Sequence, residues 1–289
     1  MKQHKTLSLF ITSLFVFFFS NLSTLFAQDA FGGLALYTVR NDMGKSPETT
    51  LQAVADAGYV SIEAAGYKEG KFYDYSPLEF KALLSYLNLT PLSSHNSDVS
   101  LDNADAMMAD VKAAGFEYFV VPIPPMGLFK SGAKGMRMEG GAENLANILN
   151  VLGKKAKAMG LKLLYHNHDF EFTADANGEV VIDYLLEHCD PEFVNFQMDL
   201  YWVTKAGADP LVYFEKYPGR FKLWHVKDMD EKGRFAPVGQ GTIDFERILA
   251  KKERSGMKAY FVEQDVTIHM KPLEAIKVSH EGLKKFGFN

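Results

Sequence analysis

Short apolar runs alternate with longer amphipathic segments along most of the chain. Each run is almost continuously hydrophobic, which is typical of a strand that is buried on both faces of a parallel sheet. The pattern predicts eight strands, at residues 33–39, 59–65, 90–95, 116–122, 161–168, 193–200, 220–226 and 258–264.

A helix is predicted after each of these strands. The segments 46–58 and 76–88 both begin with Ser-Pro, which combines an N-cap residue with a proline that the first turn tolerates. Glycine follows or ends several of the segments, as expected at a helix C-terminus. The predicted helices are residues 46–58, 76–88, 101–115, 143–160, 181–189, 209–217, 242–256 and 271–286.

Eight strand-then-helix units without a Pro/Ser-rich linker predict a single (β/α)8 TIM barrel of the α/β class. A doubly wound open sheet is the alternative. The stretch LYTVRNDMGK, at the end of the first predicted strand, lacks the glycine fingerprint of a dinucleotide-binding loop. The barrel is therefore the preferred architecture.

The first residues have a different character from the rest. MKQHK is basic, and a long uncharged apolar run follows it. This predicts a signal peptide at residues 1–27, a barrel domain at residues 28–289, and export to the periplasm, with no membrane contact after cleavage. An uncleaved anchor is the alternative, because Leu25 is not the small residue expected near a cleavage site and the apolar run is long.

The charge balance limits the classes of partner. The chain has 31 Lys and Arg against 36 Asp and Glu, a formal net charge of −5, and no strong basic cluster. Nucleic-acid binding needs concentrated positive charge, so no nucleic-acid partner is expected. A small carbohydrate suits this balance better. Cys189 is the single cysteine, which excludes an internal disulfide.

Six of the eight predicted strands end in a side chain that could bind a metal ion or move a proton. In a barrel of this kind, the strand ends and the loops after them form the active site. Any one of these residues alone is more often a hydrogen-bonded packing residue. Together they would be costly to bury, and a divalent cation would compensate for that cost. The residues are Glu63, His95, His166, His168, Asp199, His225 and Glu263.

Several stretches, in this order and spacing, resemble the xylose isomerase-like TIM barrels, of the sugar phosphate isomerase/epimerase and AP endonuclease family 2 type. The resemblance covers residues 33–288, nearly the whole predicted domain. It is specific for the superfamily, which also includes inosose dehydratases, but not for one reaction. The stretches are GLALYTVRNDM, YHNHDFEF, FQMDLYWVTKAGADP, WHVKD, VGQGTIDF and FVEQD.

The resemblance implies one metal ligand from each of the last four strands. The family commonly uses Glu, Asp, His and Glu, but this chain has a histidine at the first of these positions. The implied ligands are His166, Asp199, His225 and Glu263. Such a mixed nitrogen and oxygen set suits a single Mn²⁺, Zn²⁺, Co²⁺ or Fe²⁺ ion. His168 or Glu171 could instead take the place of His166, and His168 would otherwise lie one layer nearer to the substrate.

The first functional hypothesis is a metal-dependent sugar isomerase or epimerase that removes a proton next to a carbonyl and forms an enediolate. Glu263 or His166 would be the base, with His168 as a further candidate. Lys227 would stabilise charge on a substrate oxygen, although a solvated loop lysine is an equal alternative. The residues expected to contact the substrate are Glu63, His95, Glu171 and Trp202.

An eliminating lyase or dehydratase that acts on a keto sugar or keto-glycoside is the main alternative. His166 breaks the paired-carboxylate pattern of the epimerases, and the export signal argues against phosphorylated substrates. A carbohydrate-binding barrel without catalysis is the non-enzymatic alternative. An endonuclease is disfavoured by the acidic balance.

Overall fold

The structure, a computed structural model, describes residues 31–124, 129–132, 135–138, 141–174 and 178–289. Eight parallel strands close into a barrel in which each strand pairs with the next along the chain and the last pairs with the first. The predicted barrel is confirmed, and the open sheet is excluded. The strands are β1 (Gly33–Ala35), β2 (Ser61–Ala64), β3 (Thr90–His95), β4 (Tyr118–Val121), β5 (Lys162–His166), β6 (Val194–Asp199), β7 (Phe221–Val226) and β8 (Ala259–Val262).

Helices connect the strands and surround the barrel. Three two-stranded hairpins lie in the connections, at Tyr67–Lys68 with Lys71–Phe72, Phe129–Gly132 with Gly135–Met138, and Asp228–Met229 with Phe235–Ala236. Short 3-10 turns span Leu36–Val39 and Phe170–Phe172. The α-helices are Arg40–Met43, Pro47–Asp56, Pro77–Tyr86, Ala104–Ala113, Gly141–Ala158, Val181–His188, Leu200–Lys205, Pro210–Lys216, Phe245–Leu249, Lys252–Ser255 and Pro272–Lys285.

Three predicted strands run two or more residues past their observed ends, and one of them, the eighth, ends at Val262. The first ends at Ala35, because Leu36 and Val39 are both buried at a spacing of three residues, which a helical turn satisfies and a strand does not. The fifth ends at His166, two residues before the predicted end. One predicted helix, at residues 242–256, is divided into Phe245–Leu249 and Lys252–Ser255.

The barrel interior is apolar at its centre and polar at the carboxyl ends of the strands. Alternate residues of a strand point to the same side. Leu164, Leu223 and Phe261 point into the barrel, so the residues two positions after them point into it as well. Those later residues are His166, His225 and Glu263. The strand period therefore carries these three polar side chains into the mouth of the barrel. The interior cluster is Ala35, Tyr118, Val120, Leu164, Leu223 and Phe261.

The predicted signal peptide at residues 1–27 lies outside the described residues, and its cleavage and the location of the protein stay predictions. None of the helices in the described ranges is long and apolar enough to cross a membrane.

The loop that follows β7 is fastened by one buried carboxylate. Asp228 Oδ1 accepts hydrogen bonds from the backbone N–H groups of Met229 and Ile243 at 2.8 and 3.2 Å. Its Oδ2 accepts from Gly239 and Gly241, each at 2.9 Å. Burial raises the pKa of Asp228, against the effect of these donors. The carboxylate thus fixes the loop immediately after Lys227.

The same loop packs closely on the last helix. A Cβ added at Gly282 would lie 1.8 Å from the backbone oxygen of Val238. Val238 N also donates to Ser279 Oγ, at 3.1 Å, from the same helix. Glycine at position 282 therefore permits a contact that a side chain would prevent.

Replacing Gly282 with alanine is expected to lower the free energy of unfolding by about 1–3 kcal/mol, because the backbone of two elements must separate. This loss exceeds the gain of about 1 kcal/mol that alanine brings to a helix. Urea unfolding measures it. The control is Glu281→Ala, at an exposed neighbour, which should stay within about 0.5 kcal/mol of wild type. A Gly282→Ala protein as stable as this control would contradict the packing described.

Candidate metal centre

Four side chains from β5 to β8 and their ends converge in the mouth of the barrel. His225 Nδ1 is 2.9 Å from Glu263 Oε2 and 3.8 Å from Asp199 Oδ2, and His166 Nε2 is 3.7 Å from the same Asp199 oxygen. A divalent ion with bonds of about 2.1 Å holds neighbouring ligand atoms roughly 3–3.4 Å apart. Asp199, His225 and Glu263 offer ligand atoms within 4.8 Å of one another, close enough to share one divalent ion after small shifts, and His166 Nε2 lies beside the Asp199 oxygen.

Asp199 presents one oxygen to this cluster. Its Oδ1 accepts hydrogen bonds from Tyr201 N at 3.0 Å and Trp202 N at 2.9 Å, and so caps the helix that begins at Leu200. Its Oδ2 is buried and lies 2.8 Å from the ammonium of Lys227. Burial raises the pKa of Asp199, although Lys227 and His225 oppose the shift. A buried carboxylate oxygen that faces two imidazoles and a cation is suited to bind a metal ion.

His166 is oriented as a ligand through Nε2. Its Nδ1 is 2.9 Å from Gln197 Oε1, which can only accept, so Nδ1 carries the hydrogen. The orientation of the Gln197 amide follows from its other end, where Nε2 donates to Glu63 Oε2 at 2.7 Å. Burial, with a further contribution from His225, lowers the pKa of His166 well below its usual value. The ring is therefore neutral, with the lone pair of Nε2 toward Asp199.

His225 is held between two carboxylates. Its Nε2 donates to Glu63 Oε1 at 2.6 Å, and its Nδ1 donates to Glu263 Oε2 at 2.9 Å. Burial alone would lower the pKa of His225, but Glu63 and Glu263 raise it to about 10. A metal ion at Nδ1 would replace the proton on that nitrogen. The proton on Nε2 would stay there, hydrogen-bonded to Glu63. This is the carboxylate–histidine arrangement that orients a metal ligand from behind.

Glu63 is the centre of the supporting hydrogen bonds. Its oxygens also accept from Ser93 Oγ at 2.6 Å and lie 2.9 Å from His95 Nε2. Burial would raise the pKa of Glu63, but His95 and His225 hold it well below its usual value. Glu63 was expected to contact a substrate, and in the structure both of its oxygens accept from protein donors. Glu63 is a positioning residue.

A second group of donors, His95, His166 and His225, also has ligand atoms within 4.8 Å of one another. However, His95 Nε2 lies 2.7 Å from Gln197 Oε1 and 2.9 Å from Glu63 Oε1. That nitrogen is already a donor to protein oxygens. The group with Asp199 and Glu263 therefore fits a cation better, and it includes the negative charge that a cation needs.

Lys227 lies inside the site and is buried. Its Nζ is 2.8 Å from Asp199 Oδ2, 2.5 Å from Glu263 Oε2 and 2.8 Å from Asp265 Oδ1. Burial alone would lower the pKa of Lys227, but the three carboxylates raise it well above its usual value. A solvated loop lysine, the alternative considered from the sequence, is not what the structure shows.

His168 follows the end of β5 and lines the site beside Trp202. Its ring centroid is 5.0 Å from that of His166 and 5.5 Å from that of Trp202. Among the described residues, its buried Nδ1 has no hydrogen-bond partner. Burial, and then Lys227, lowers the pKa of His168 to about 3. A neutral imidazole with an unpaired nitrogen therefore lies next to the candidate metal ligands.

Glu171, which was expected to contact substrate or to replace His166, is bonded to groups of its own segment. It is fully buried, and Tyr165 Oη donates to its Oε1 at 2.5 Å. The backbone N–H of His168 donates to Oε2 at 2.8 Å. Burial raises the pKa of Glu171 to about 7. With both oxygens used, Glu171 stabilises the turn that carries His168.

Four polar residues of this site were missed by the sequence reasoning. Gln197 and Ser93 each lie two residues before a predicted site residue, so the strand period could have revealed them. Asn167 Oδ1 accepts from Asp199 N at 3.0 Å, which ties the ends of β5 and β6 together. Asp265 follows Glu263 by two residues and contacts Lys227.

Comparison with known proteins identifies the class. Residues 51–285 match the family model described as xylose isomerase-like TIM barrel, and the chain belongs to this family of enzymes.

Among curated relatives, the inosose dehydratase of Clostridium tetani is 34% identical over 157 residues, which are 47% of this chain and 51% of that protein. The chain thus matches about half the length of the curated relatives. Two solved structures from Parabacteroides distasonis, each described as a sugar phosphate isomerase/epimerase, are 25% and 27% identical with a TM-score of 0.75. The alignments cover 89% of this chain and 94% and 98% of those chains.

Replacing Glu63 with glutamine is expected to weaken the binding of a divalent ion about tenfold to hundredfold, although Glu63 is not a ligand. The neutral amide no longer holds the Nε2 hydrogen of His225 as a carboxylate does. Calorimetric titration with Mn²⁺ or Zn²⁺ measures the affinity. Glu117→Gln, which removes an exposed partner of Lys162, is the control and should bind like wild type. Equal affinity of the two variants would refute the positioning role.

Proposed function

We propose that this protein is a divalent-metal-dependent lyase that eliminates water, or another leaving group, from the carbon next to the acidified C–H of a polyhydroxylated ketone. The observation that carries the proposal is the convergence of His166, His225 and Glu263 on the buried Asp199 carboxylate. The similarity to inosose dehydratases favours elimination over other reactions that begin in the same way.

The ligand set of this proposal is His166 Nε2, Asp199 Oδ2, His225 Nδ1 and Glu263 Oε2. When bound, a divalent ion would polarise the carbonyl of the substrate and acidify the adjacent C–H. The protein orients these ligands through atoms on their far sides. Gln197 fixes His166, the amides of the following helix fix Asp199, and Glu63 fixes His225.

The proton is moved by His168 in this proposal. His166 and Glu263 were the first candidates for the base, but this proposal uses both as ligands. His168 Nδ1 is buried, close to the ligands and without a partner among the described residues. It accepts the proton from carbon, the C–O bond on the neighbouring carbon breaks, and the same proton passes to the departing oxygen. The net result is loss of water and formation of a C=C bond.

Two other residues bind and orient the substrate. The Trp202 ring, which contacts His168, offers an apolar face to the carbon skeleton. The ammonium of Lys227, 5.7 Å from the centroid of that ring, favours negative charge on a substrate oxygen.

Isomerisation or epimerisation of a keto sugar is the second candidate. It is favoured by the two structures from Parabacteroides distasonis, which align along most of both chains. The first step, removal of the proton next to the carbonyl, is common to both candidates. They differ in whether the proton returns to carbon or a leaving group departs.

The reaction is tested with an inosose, a cyclic polyhydroxylated ketone, in D2O with Mn²⁺, Co²⁺ or Zn²⁺. We expect NMR to show loss of a hydroxyl group and formation of an unsaturated ketone or its tautomer, and chelation with EDTA should abolish the reaction. Deuterium incorporation at carbon without loss of hydroxyl, on this ketone or a keto sugar, would instead support the isomerase. Absence of both reactions across a panel of cyclic and linear keto sugars would contradict the proposal.

Replacing His168 with glutamine is expected to lower kcat at least about a hundredfold, as for loss of a general base. The metal affinity should stay within about threefold of wild type, because His168 is not a ligand here. His188→Gln, at an exposed histidine on a helix, is the matched control. Loss of metal binding in His168→Gln would show that His168, and not His166, supplies the ligand from this segment.

A further inference from the structure

The candidate metal centre already contains a positive charge that belongs to the protein. The ammonium of Lys227 contacts Asp199 Oδ2 and Glu263 Oε2, at 2.8 and 2.5 Å. These are the same two oxygens that face the other metal-ligand atoms. Its third contact, Asp265 Oδ1 at 2.8 Å, lies outside the ligand group.

We propose that Lys227 is a tethered cation that competes with the metal ion for Asp199 Oδ2 and Glu263 Oε2, and that it thereby sets the metal affinity of the site. The inference rests on the metal centre of the proposed function and adds a residue that controls it. In the metal-free protein, Lys227 supplies the compensating charge. In the metal-bound protein, it must give up or share both oxygens.

The burial of these groups makes the competition strong. Lys227 is 2% exposed, Asp199 0% and Glu263 4%, so water screens their charges little. A carboxylate in such a place is costly without a cation beside it. Two cations on the same pair of oxygens repel each other, so occupancy by the ammonium weakens binding of the metal ion.

An ammonium can also help metal binding, if it pre-arranges the carboxylates. In this structure, groups other than Lys227 arrange the ligands. Asp199 is fixed by two helix amides, and His225 is fixed by Glu63. Removing Lys227 therefore leaves these two ligands positioned, and the loss of a competitor is the larger effect.

Asp265 can hold the Lys227 ammonium after a metal ion displaces it from Asp199 and Glu263. It contacts Lys227 from outside the ligand group, and its side chain is 19% exposed, more than the other two carboxylates. We expect Lys227 to keep this contact when the metal ion takes the shared oxygens. The lysine then stays at the mouth, beside Trp202.

The test is calorimetric titration of Mn²⁺ and Zn²⁺ into the metal-free full-length protein. Methionine is unbranched, of similar length and uncharged, so Lys227→Met removes the ammonium with little change in volume. We expect it to bind both ions at least tenfold more tightly than wild type. Its Tm without metal should fall, and added metal should raise its Tm more than that of wild type.

The matched control is Lys205→Met. Lys205 is exposed, contacts Tyr201 Oη at 3.1 Å and the Gly233 carbonyl at 3.0 Å, and touches none of the carboxylates. Its metal affinity should equal that of wild type. A general effect of removing one positive charge would tighten metal binding in both variants and would overturn the inference.

Lys227→Met leaves two buried carboxylates and the partly buried Asp265 with less compensation and can fail to fold. The double variant Lys227→Met/Asp265→Asn removes one charge of each sign, and it should also bind metal more tightly than wild type. Equal or weaker binding in the folded variants, when wild type binds metal, overturns the inference and leaves the metal centre intact. Absence of binding in wild type and all variants overturns the metal centre and the inference together.

Discussion

The site depends on the balance between buried carboxylates and the cations that face them. Glu63, Asp199 and Glu263 are almost completely buried in the barrel mouth. Such groups stay ionised only where positive charge or hydrogen-bond donors replace the water they have lost. In this structure the imidazolium of His225 and the ammonium of Lys227 provide the compensation. The same balance makes the mouth receptive to a divalent ion, which would take over part of their role.

The barrel imposes this balance through strand geometry. Leu164, Leu223 and Phe261 fill the interior, and the period of two residues then places polar side chains one layer higher. Because all eight strands are parallel, their carboxyl ends meet at one mouth. Gln197 and Glu63 cross-link the polar layer and leave particular nitrogen and oxygen atoms facing inward. A candidate metal centre and a neutral histidine beside it follow from that arrangement, and the proposed function uses both to remove a proton next to a carbonyl.

Much of this could be predicted from the sequence. The eight apolar runs predicted the barrel, and the polar residues at the ends of six of these runs identified residues that the structure brings together. What could not be predicted depends on contacts between strands. Both oxygens of Glu171 accept from groups in the same segment, Tyr165 Oη and the His168 amide. Lys227 is buried because three carboxylates surround it, two from other strand ends. The preference for elimination over isomerisation came from relatives, since both reactions use the same ligands.

The most direct test of the account is a crystal structure of the protein soaked with Mn²⁺, with anomalous data collected to locate the ion. The account predicts one strong peak at about 2.0–2.3 Å from His166 Nε2, Asp199 Oδ2, His225 Nδ1 and Glu263 Oε2. Lys227 Nζ should then lie nearer to Asp265 than to Asp199. A mouth without a peak at saturating Mn²⁺, or an ion bound away from Asp199 and Glu263, would contradict it.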